Sequence, residues 1–361
     1  MKWKMSIPHL FILTILFLVL AAEISAGSED NTHFQLLTTY PLPDSCLDVF
    51  VDNINLTAAG NNSGVRVFLQ RDILQPELRT SHDSLIGRVV AIDGSNSSFI
   101  IGFDLGNESC ALATIDQYVI PSEGPEYWGL CKMPYPIEDI KVWYKTYAFV
   151  AHGEYGVSII DIADNLNPRL VTTFDTPGEA HGLDVSVPRI LIADGSAGIQ
   201  FVDITDPANP AIIKSLDTPG EAYSIDIWVS KAYVADGDAG ILYIDSIYTN
   251  PYIVSSFDTP GKAVDLSLNY LDCFRGRPGV KYRCLPQPIF DRGYIMVADG
   301  NAGIHAIRFE DNTPIEITAS YDTPGFARRV SKFLFRNYCD NCICVADGEP
   351  NIKIISLIED K

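Results

Sequence analysis

Short apolar runs alternate with turn sequences along most of the chain. In one stretch, four such runs are each stopped by Gly, Pro, Asp or Asn: Ala180–Val187, Ile190–Ala193, Ile199–Ile204 and Ala211–Leu216. Runs of this length bounded by turn residues predict β-strands, here called A, B, C and D in chain order. Because the runs carry apolar side chains on both faces, each face of the resulting sheet must be covered by other parts of the protein.

Two signatures repeat in step with these runs. An aromatic residue or Leu followed by Asp-Thr-Pro-Gly starts at Phe174, Leu216, Phe257 and Tyr321. Ala-Asp-Gly-x-Ala-Gly starts at Ala193, Ala235 and Ala298, with degenerate forms at Ala151 and Ala346. The first three copies of the Asp-Thr-Pro-Gly signature are 42 and 41 residues apart, which is the length of a four-stranded propeller blade. The repeats predict an all-β propeller in which each blade covers the faces of its neighbours.

The turns between strands B and C predict the number of blades. Seven are found, at Ala59-Gly60, Asp93-Gly94, His152-Gly153, Asp194-Gly195, Asp236-Gly237, Asp299-Gly300 and Asp347-Gly348. The Asp93-Gly94 turn is the weakest because no clear strand A precedes it. Seven four-stranded antiparallel blades are therefore predicted, and six blades with a long N-terminal insertion are the alternative.

The two ends of the array predict how the ring closes. Phe34–Tyr40 resembles a strand D and Ile352–Ile358 resembles a strand C, so the N-terminal strand is predicted to complete the last blade. Residues 33–361 are accordingly one propeller domain after a short segment, 27–32. Insertions are predicted at about residues 117–134 and 270–292, the second within an A-to-B hairpin.

The repeated phrases resemble a known family. Val234–Ile241, Ile199–Pro210 and Phe257–Gly261 are similar to the LVIVD repeat family of β-propellers, which occurs in exported and cell-surface proteins. The resemblance implies the fold and an extracellular setting. It carries no catalytic motif that transfers to positions of this chain.

The N-terminus predicts export. Residues 1–26 combine Lys2 and Lys4, the apolar stretch Leu10–Ala22 and a small-residue cleavage site at Ile24–Ala26, as in a secretory signal peptide. The apolar stretch is shorter than the about 20 residues that a spanning helix needs, so a retained anchor is the weaker alternative and no stable membrane span is expected after cleavage. The sequence thus predicts a secreted or cell-surface protein.

Export determines how the cysteines and the asparagines are interpreted. Eight cysteines in an exported chain favour disulfides, with local bonding expected for Cys273 and Cys284, which bracket an insertion, and for Cys339 and Cys342 in one hairpin. Four glycan acceptor sequences predict a glycoprotein with these modified residues: Asn55, Asn61, Asn96 and Asn107.

The charge excludes some partners. A formal net charge of −20 makes nucleic acid an unsuitable partner and makes cations the natural small ligands. Strand direction places the B-to-C and D-to-A turns on one rim, which collects the repeated aspartates. These are first of all turn residues. Ca²⁺ is the cation that such a rim would bind, through Asp194, Asp236, Asp299 and Asp347, but no cofactor is otherwise expected.

Positions that differ between repeats predict a ligand site. The residue after the Ala that follows Thr-Pro-Gly lies at the mouth of the central channel, and this column and the next one supply the candidates Glu138, His181, Tyr223, Asp265, Arg328 and Arg329. His152 is added because it replaces Asp in its turn. These side chains suit an anionic or sugar-like ligand, or acid and base chemistry.

The favoured function is binding without catalysis. The chain lacks HExxH, G-x-S-x-G, a phosphate-cradling glycine loop and C-x-x-C-H, so the sequence leans against an enzyme without excluding one. We predict an exported propeller that binds an extracellular protein or glycan at the cell surface. The alternatives are an extracellular hydrolase or lyase with its site at the channel mouth, and a surface-layer or filament subunit that forms a homo-oligomer or lattice.

Overall fold

A computed structural model gives the fold of most of the chain. It describes residues 31–51, 55–60, 64–69, 77–82, 88–95, 98–106, 109–116, 129–270, 292–310, 313–335 and 339–360. Every regular element in these ranges is a β-strand.

The described strands pair into seven four-stranded antiparallel sheets. The first two sheets are β2(Cys46–Val51), β3(Asn55–Gly60), β4(Gly64–Leu69) and β5(Glu77–His82), then β6(Arg88–Ser95), β7(Ser98–Gly106), β8(Ser109–Asp116) and β9(Gly129–Met133). The third and fourth are β10(Asp139–Trp143), β11(Tyr147–Ala151), β12(Val157–Asp161) and β13(Arg169–Phe174), then β14(Gly182–Ser186), β15(Arg189–Ala193), β16(Ile199–Asp203) and β17(Ala211–Leu216). The fifth and sixth are β18(Ser224–Trp228), β19(Lys231–Ala235), β20(Ile241–Asp245) and β21(Tyr252–Phe257), then β22(Asp265–Tyr270), β23(Arg292–Ala298), β24(Ile304–Glu310) and β25(Thr313–Tyr321). The seventh combines β26(Arg329–Phe335), β27(Cys339–Ala346) and β28(Asn351–Asp360) with β1(Asn31–Pro41).

The sheets are the blades of a closed ring, numbered here 1 to 7 from the sheet of β2. The innermost strands touch in the order β2, β6, β10, β14, β18, β22 and β26, and β26 returns to β2. The all-β propeller of four-stranded antiparallel blades is thus confirmed. So is its closure, because β1 pairs with β28 from Asn31 opposite Asp360 to Pro41 opposite Asn351.

Packing between blades explains the two-faced apolar strands. In blade 4, Ile190 and Ile192 join a buried cluster with Phe149 of blade 3, whereas Leu191 joins one with Val234 of blade 5. Alternate side chains of a strand point to opposite faces, so one strand binds both neighbours. This stacking is what the sequence pattern required.

The second blade corrects two expectations. Asp93 and Gly94 lie inside β6, the innermost strand, and do not form a B-to-C turn. Residues 129–133, expected to belong to an insertion, form β9, the outermost strand of this blade. Residues 271–291, predicted as an insertion between strands A and B of blade 6, separate β22 from β23 and lie outside the described residues.

The two repeated signatures bind each other, which explains why they keep step. Asp194 in the β15–β16 turn accepts hydrogen bonds from Thr176 Oγ1 (2.6 Å) and the Gly178 amide (3.0 Å), both in the Asp-Thr-Pro-Gly turn that enters the blade. Gly198 has φ +70°, and a Cβ at this position would lie 2.3 Å from the Leu216 carbonyl oxygen. The signature therefore needs glycine here both for its left-handed backbone and for the close approach of strand D.

The predicted shared rim is also confirmed. The amide of Gly195 in the same turn bonds the carbonyl of Ala222 in the connection to blade 5, and the reverse bond closes the pair. Each B-to-C turn of this kind thus joins the chain entering its blade to the chain leaving it.

The predicted modifications lie largely beyond the described part. Cys273, Cys284, Asn61, Asn96, Asn107 and the side chains of Cys339 and Asn55 are outside the described residues, and Cys342 is disulfide-bonded. The pairing of these cysteines and the glycosylation therefore stay predictions. The predicted signal peptide, residues 1–26, also lies outside the described residues and stays a prediction.

The remaining four cysteines differ from the expectation that they pair. They are free and buried: Cys46, Cys110, Cys131 and Cys344. Among the described residues there is no helix with the length and apolar character that crossing a bilayer requires.

Candidate functional site

A cavity of about 680 Å³ opens at the mouth of the central channel, and all seven blades contribute to it. Its lining consists of Ser45, Leu47, Arg88, Val90, Glu138, His181, Tyr223, Lys262, Val264, Phe326, Arg328, Arg329 and Gly348. Most of these side chains come from the first residues of an innermost strand or from the turn before it, since these turns share the rim described above. We call this cavity the mouth.

Blades 3, 4 and 5 supply a hydrogen-bonded side of the mouth. His181 Nδ1 lies 2.7 Å from Glu138 Oε2, and the His181 ring stacks on Tyr223 with centroids 4.8 Å apart. The hydrogen bond to Glu138 raises the pKa of His181 above its usual value, against the opposing effect of burial. The raised pKa favours the protonated imidazole, which can donate a hydrogen bond or a proton to a bound group.

Tyr223 also belongs to a short proton-donor chain. Lys262 Nζ donates to Tyr223 Oη at 2.5 Å, and Tyr223 Oη donates to Glu221 Oε2 at 2.5 Å. Burial and the bond to Glu221 raise the pKa of Tyr223, and the bond to Tyr223 raises that of Lys262. The phenol is thus held neutral, in a fixed rotamer, between a cation and an anion.

The opposite side of the mouth is cationic and apolar. Arg328 is exposed, and its guanidinium lies 5.7 Å from the ring centroid of Phe326. Arg88 pairs with Asp104 at 3.2 Å, and Val264 adds apolar surface beside these groups. Four Arg and Lys side chains and one carboxylate line the mouth, although acidic residues outnumber basic ones by 46 to 26 in the chain.

Aspartates join neighbouring blades along the channel wall below the mouth. At six of the seven junctions between innermost strands, a carboxylate accepts a hydrogen bond from a backbone amide of the next blade, at 2.6–3.3 Å. The pairs are Asp48 with Ile92, Asp93 with Val142, Asp139 with Leu183, Asp184 with Ile227, Asp226 with Leu268 and Asp265 with Val330. At the seventh junction, Arg329 of blade 7 lies 3.9 Å from Asp48 of blade 1. One amide of the wall is thereby occupied at each of these six junctions.

Two cations compensate this acidic wall. Arg329 lies 3.2 Å from Asp139 and 3.6 Å from Asp265, and these carboxylates raise its pKa although burial alone would lower it. Lys141 lies 3.7 Å from Asp184, which raises its pKa against the same opposing effect of burial. Burial raises the pKa of Asp48 to about 7.

The structure brings together most of the predicted mouth residues. Glu138, His181, Tyr223, Arg328 and Arg329 line one cavity. Two predicted members, Asp265 and His152, do not line this cavity.

Asp265 and His152 are both buried away from the mouth. Asp265 lies one layer deeper and bonds Ser224 Oγ (2.8 Å) as well as the next strand. His152 is buried because it replaces the structural aspartate of its turn and bonds Pro136 O (2.5 Å) and Ser158 Oγ (2.8 Å). Burial lowers the pKa of His152.

The aspartates predicted to bind Ca²⁺ are not brought together. Asp236 Oδ2 accepts from the Gly220 amide at 2.8 Å, as Asp194 does from Gly178, and Asp299 accepts from Gly261 at 2.7 Å. Asp347 binds Lys353 at 2.5 Å. Each carboxylate is buried in its own blade, and the described residues hold no cluster of three metal-ligating side chains. Their hydrogen bonds are those of turn residues.

The mouth residues that sequence reasoning missed include Lys262, Phe326 and Arg88, and for the first two a signal existed. Lys262 and Phe326 occupy the column immediately before the Ala of the Thr-Pro-Gly-x-Ala phrase, where the other repeats have Glu179 and Glu221. That column also varies between copies, with three residue types in four repeats, although it varies less than the columns that were chosen. Arg88 had no such signal, because blade 2 carries neither signature.

The turn and strand phrases described above match a known family in sequence. The LVIVD repeat model matches residues 138–176, 177–218 and 219–259, which correspond to blades 3, 4 and 5. Residues 138–259 are three LVIVD repeats. The matched part is about a third of the chain, and no curated protein matches it in sequence.

Solved structures share the propeller fold of this chain. The WD40 β-propeller domain of Doa1 is 11% identical, with a TM-score of 0.63 over 90% of this chain and 96% of that one. The β-propeller domain of Cps50 (Swd1) from Myceliophteria thermophila is 9% identical, with a TM-score of 0.64 over 90% and 100%. The N-terminal domain of Nup159 is 12% identical, with a TM-score of 0.58 over 92% and 97%. At these identities the likeness shows the fold alone.

The two sides of the mouth differ in their relation to the LVIVD repeats. Glu138, His181 and Tyr223 come one from each matched repeat, whereas Lys262 and Arg328 come from blades that the family model does not match. The repeats thus supply the hydrogen-bonded side, and the divergent blades supply the cationic and apolar side.

Proposed function

We propose that this protein is an exported β-propeller that binds an extracellular protein or glycan at the mouth, without catalysing a reaction. One observation carries the proposal: a single cavity of about 680 Å³ receives side chains from all seven blades, and those side chains differ from blade to blade. The volume lies within the range of roughly 300–1,000 Å³ that is usual for ligand sites.

The contrast between repeated and varied positions supports a binding role. Residues identical between the repeats, such as Asp194 and Gly198, are buried in the turn contacts that build the blades. The mouth column instead holds Glu138, His181 and Tyr223 at equivalent places. A fold maintained by identical residues leaves the varied ones free to recognise a ligand.

A binding screen with one mouth variant and one matched control tests the proposal. Wild-type protein is applied to a glycan array and to a panel of purified extracellular proteins, and hits are measured by calorimetry. Tyr223→Ala removes the stacking partner of His181 and should weaken binding at least about 10-fold, which corresponds to about 1.4 kcal/mol. Tyr252→Ala, at an exposed tyrosine of the outermost strand β21, should leave it unchanged.

Two results would contradict the proposal. One is the absence of any ligand in both screens. The other is a ligand whose affinity depends on Tyr252 and is indifferent to Tyr223, since that ligand would bind the outer edge of a blade.

A second function, an extracellular hydrolase or lyase, is favoured by the proton-holding pair in the mouth. His181 and Glu138 are hydrogen-bonded at 2.7 Å, and Tyr223 lies beside them with a fixed hydroxyl. Turnover on a glycoside and ester panel that is lost in His181→Gln, at unchanged ligand affinity, would establish catalysis. Binding without turnover would leave the non-catalytic proposal standing.

Export and assembly are part of the proposal and have their own tests. N-terminal sequencing of the protein from its native source should give a mature chain that starts near Gly27. A mass measurement at low concentration separates a monomeric receptor from the lattice subunit considered above.

A further inference from the structure

We propose that the ligand of the mouth is an acidic saccharide, bound through the carboxylate of a uronic acid residue to Arg328. The inference rests on the proposed function, because it names the chemical class that the same cavity recognises.

The first step is the state of the cations. Three mouth cations already have carboxylate partners: Arg88 has Asp104, Lys262 has Glu221 at 3.2 Å, and Arg329 has the channel aspartates. Within the described part of the chain, no carboxylate pairs with Arg328. An exposed guanidinium without an anion presents a planar fork that matches a carboxylate in bidentate geometry.

The second step is the amount of negative charge that fits. A single unpaired arginine above six channel aspartates attracts one anionic group and repels a dense polyanion. A saccharide that carries a single uronate carboxylate meets this condition. A heavily sulfated chain or a nucleic acid, which carries a charge on every residue, does not.

The third step is the surface around Arg328. Phe326 lies under the guanidinium and offers an apolar face, and the His181–Tyr223 stack offers a second flat surface across the mouth. Between them, Glu138 accepts hydrogen bonds and Lys262 donates them. Flat apolar faces with interleaved donors and acceptors suit a sugar ring, which has apolar C–H faces and hydroxyls at its edge.

The fourth step separates a saccharide from a peptide. An extended peptide gains most of its affinity by adding a strand to a free sheet edge. At six junctions a channel aspartate already bonds one amide of the innermost strand, which leaves less of a free edge for such a peptide. A ligand that binds through side-chain hydrogen bonds and stacking alone is the better fit.

The test compares trisaccharides that each contain one galacturonate, glucuronate or mannuronate residue with their methyl esters, which keep the shape and lose the charge. Calorimetry on the full-length protein should show millimolar or tighter binding of at least one acid. Its methyl ester should bind at least about 10-fold more weakly, since a hydrogen bond to a charged group is worth more than a neutral one.

Variants assign the effect to Arg328. Arg328→Gln should weaken binding of the acid by about 10- to 100-fold and leave binding of the methyl ester unchanged. Arg169→Gln removes the same charge from an exposed ion pair with Asp161 on an outer strand and should change neither affinity. Phe326→Leu should weaken the binding of the acid and of the methyl ester to the same extent.

Failure of this inference is distinguishable from failure of the proposed function. Equal affinity for acid and ester, or an acid affinity indifferent to Arg328→Gln, overturns the uronate proposal. If no uronate binds but a neutral glycan or a protein binds and is lost in Tyr223→Ala, the inference is wrong and the proposed function stands. If nothing binds at the mouth, both are wrong.

Discussion

Replacing Asp194 by Ala tests whether contact between the two signatures stabilises the propeller. The substitution removes two hydrogen bonds to a buried carboxylate, from Thr176 Oγ1 at 2.6 Å and from the Gly178 amide at 3.0 Å. Bonds to charged groups contribute about 1.5–3 kcal/mol each, which sets an upper bound of about 6 kcal/mol. Burial raises the pKa of Asp194, so keeping this carboxylate from water has a cost that the variant no longer carries. We therefore expect a net loss of about 2–4 kcal/mol in the free energy of unfolding.

A matched control is available in the same turn. Asp175 belongs to the Asp-Thr-Pro-Gly signature and is equally repeated, but its side chain is exposed. Asp175→Ala should change stability by less than about 0.5 kcal/mol. Asp194→Asn keeps one acceptor oxygen and should fall between the two. Urea unfolding followed by tryptophan fluorescence measures all three variants at pH 7. If Asp194→Ala and Asp175→Ala have equal stabilities, the repeated aspartate is not kept for its turn contacts.

Three further predictions concern the turns and the channel. Gly198→Ala should lower the free energy of unfolding by about 2 kcal/mol or more, because φ at this position is +70° and the new Cβ would lie 2.3 Å from the Leu216 carbonyl oxygen. A urea midpoint equal to that of the wild type would refute this prediction. Arg329→Met leaves three channel carboxylates without their cation. The stability that this variant loses relative to the wild type should therefore be largest near pH 8 and should shrink toward pH 5 as the carboxyls become protonated. A loss of stability that does not depend on pH would contradict the ion pairs. The pKa of Asp48 is raised to about 7 in the fold from 3.8, so the native state binds the extra proton and the contribution of this group to stability is lost as pH rises from 4 to 7. Asp48→Asn should remove that part of the pH dependence, and an unchanged slope of stability against pH would show that Asp48 does not titrate there.

The repeat pattern predicted the blade well wherever the signatures were present. The predicted strands Ile190–Ala193 and Ala211–Leu216 differ from β15 and β17 by at most one residue, because Gly and Pro turns stop each run. Blade 2 lacks both signatures, and Asp93-Gly94 was mistaken there for a turn. A dipeptide alone does not distinguish a turn from a strand in which the carboxylate bonds a neighbouring blade.

The mouth was predictable only in part, for a related reason. Strand direction and repeat columns placed Glu138, His181 and Tyr223 correctly at one opening. They did not show that His152 is buried, since the depth of a turn residue depends on its partners Pro136 and Ser158. The channel aspartates had a visible signal, with Asp184 and Asp226 exactly one repeat apart, but their bonds cross between blades and no local pattern reports such contacts.

Pairing of β1 with β28 has a consequence for synthesis of the protein. Pro41 meets Asn351, so at about 5–20 residues per second a ribosome needs roughly 15–60 s to make the stretch between the two partners. Throughout that time β1 has no partner strand, and the nascent polypeptide carries an unpaired strand edge with exposed apolar side chains. We expect slower elongation to lengthen this vulnerable interval, so that yield depends on what shields the first strand during translation.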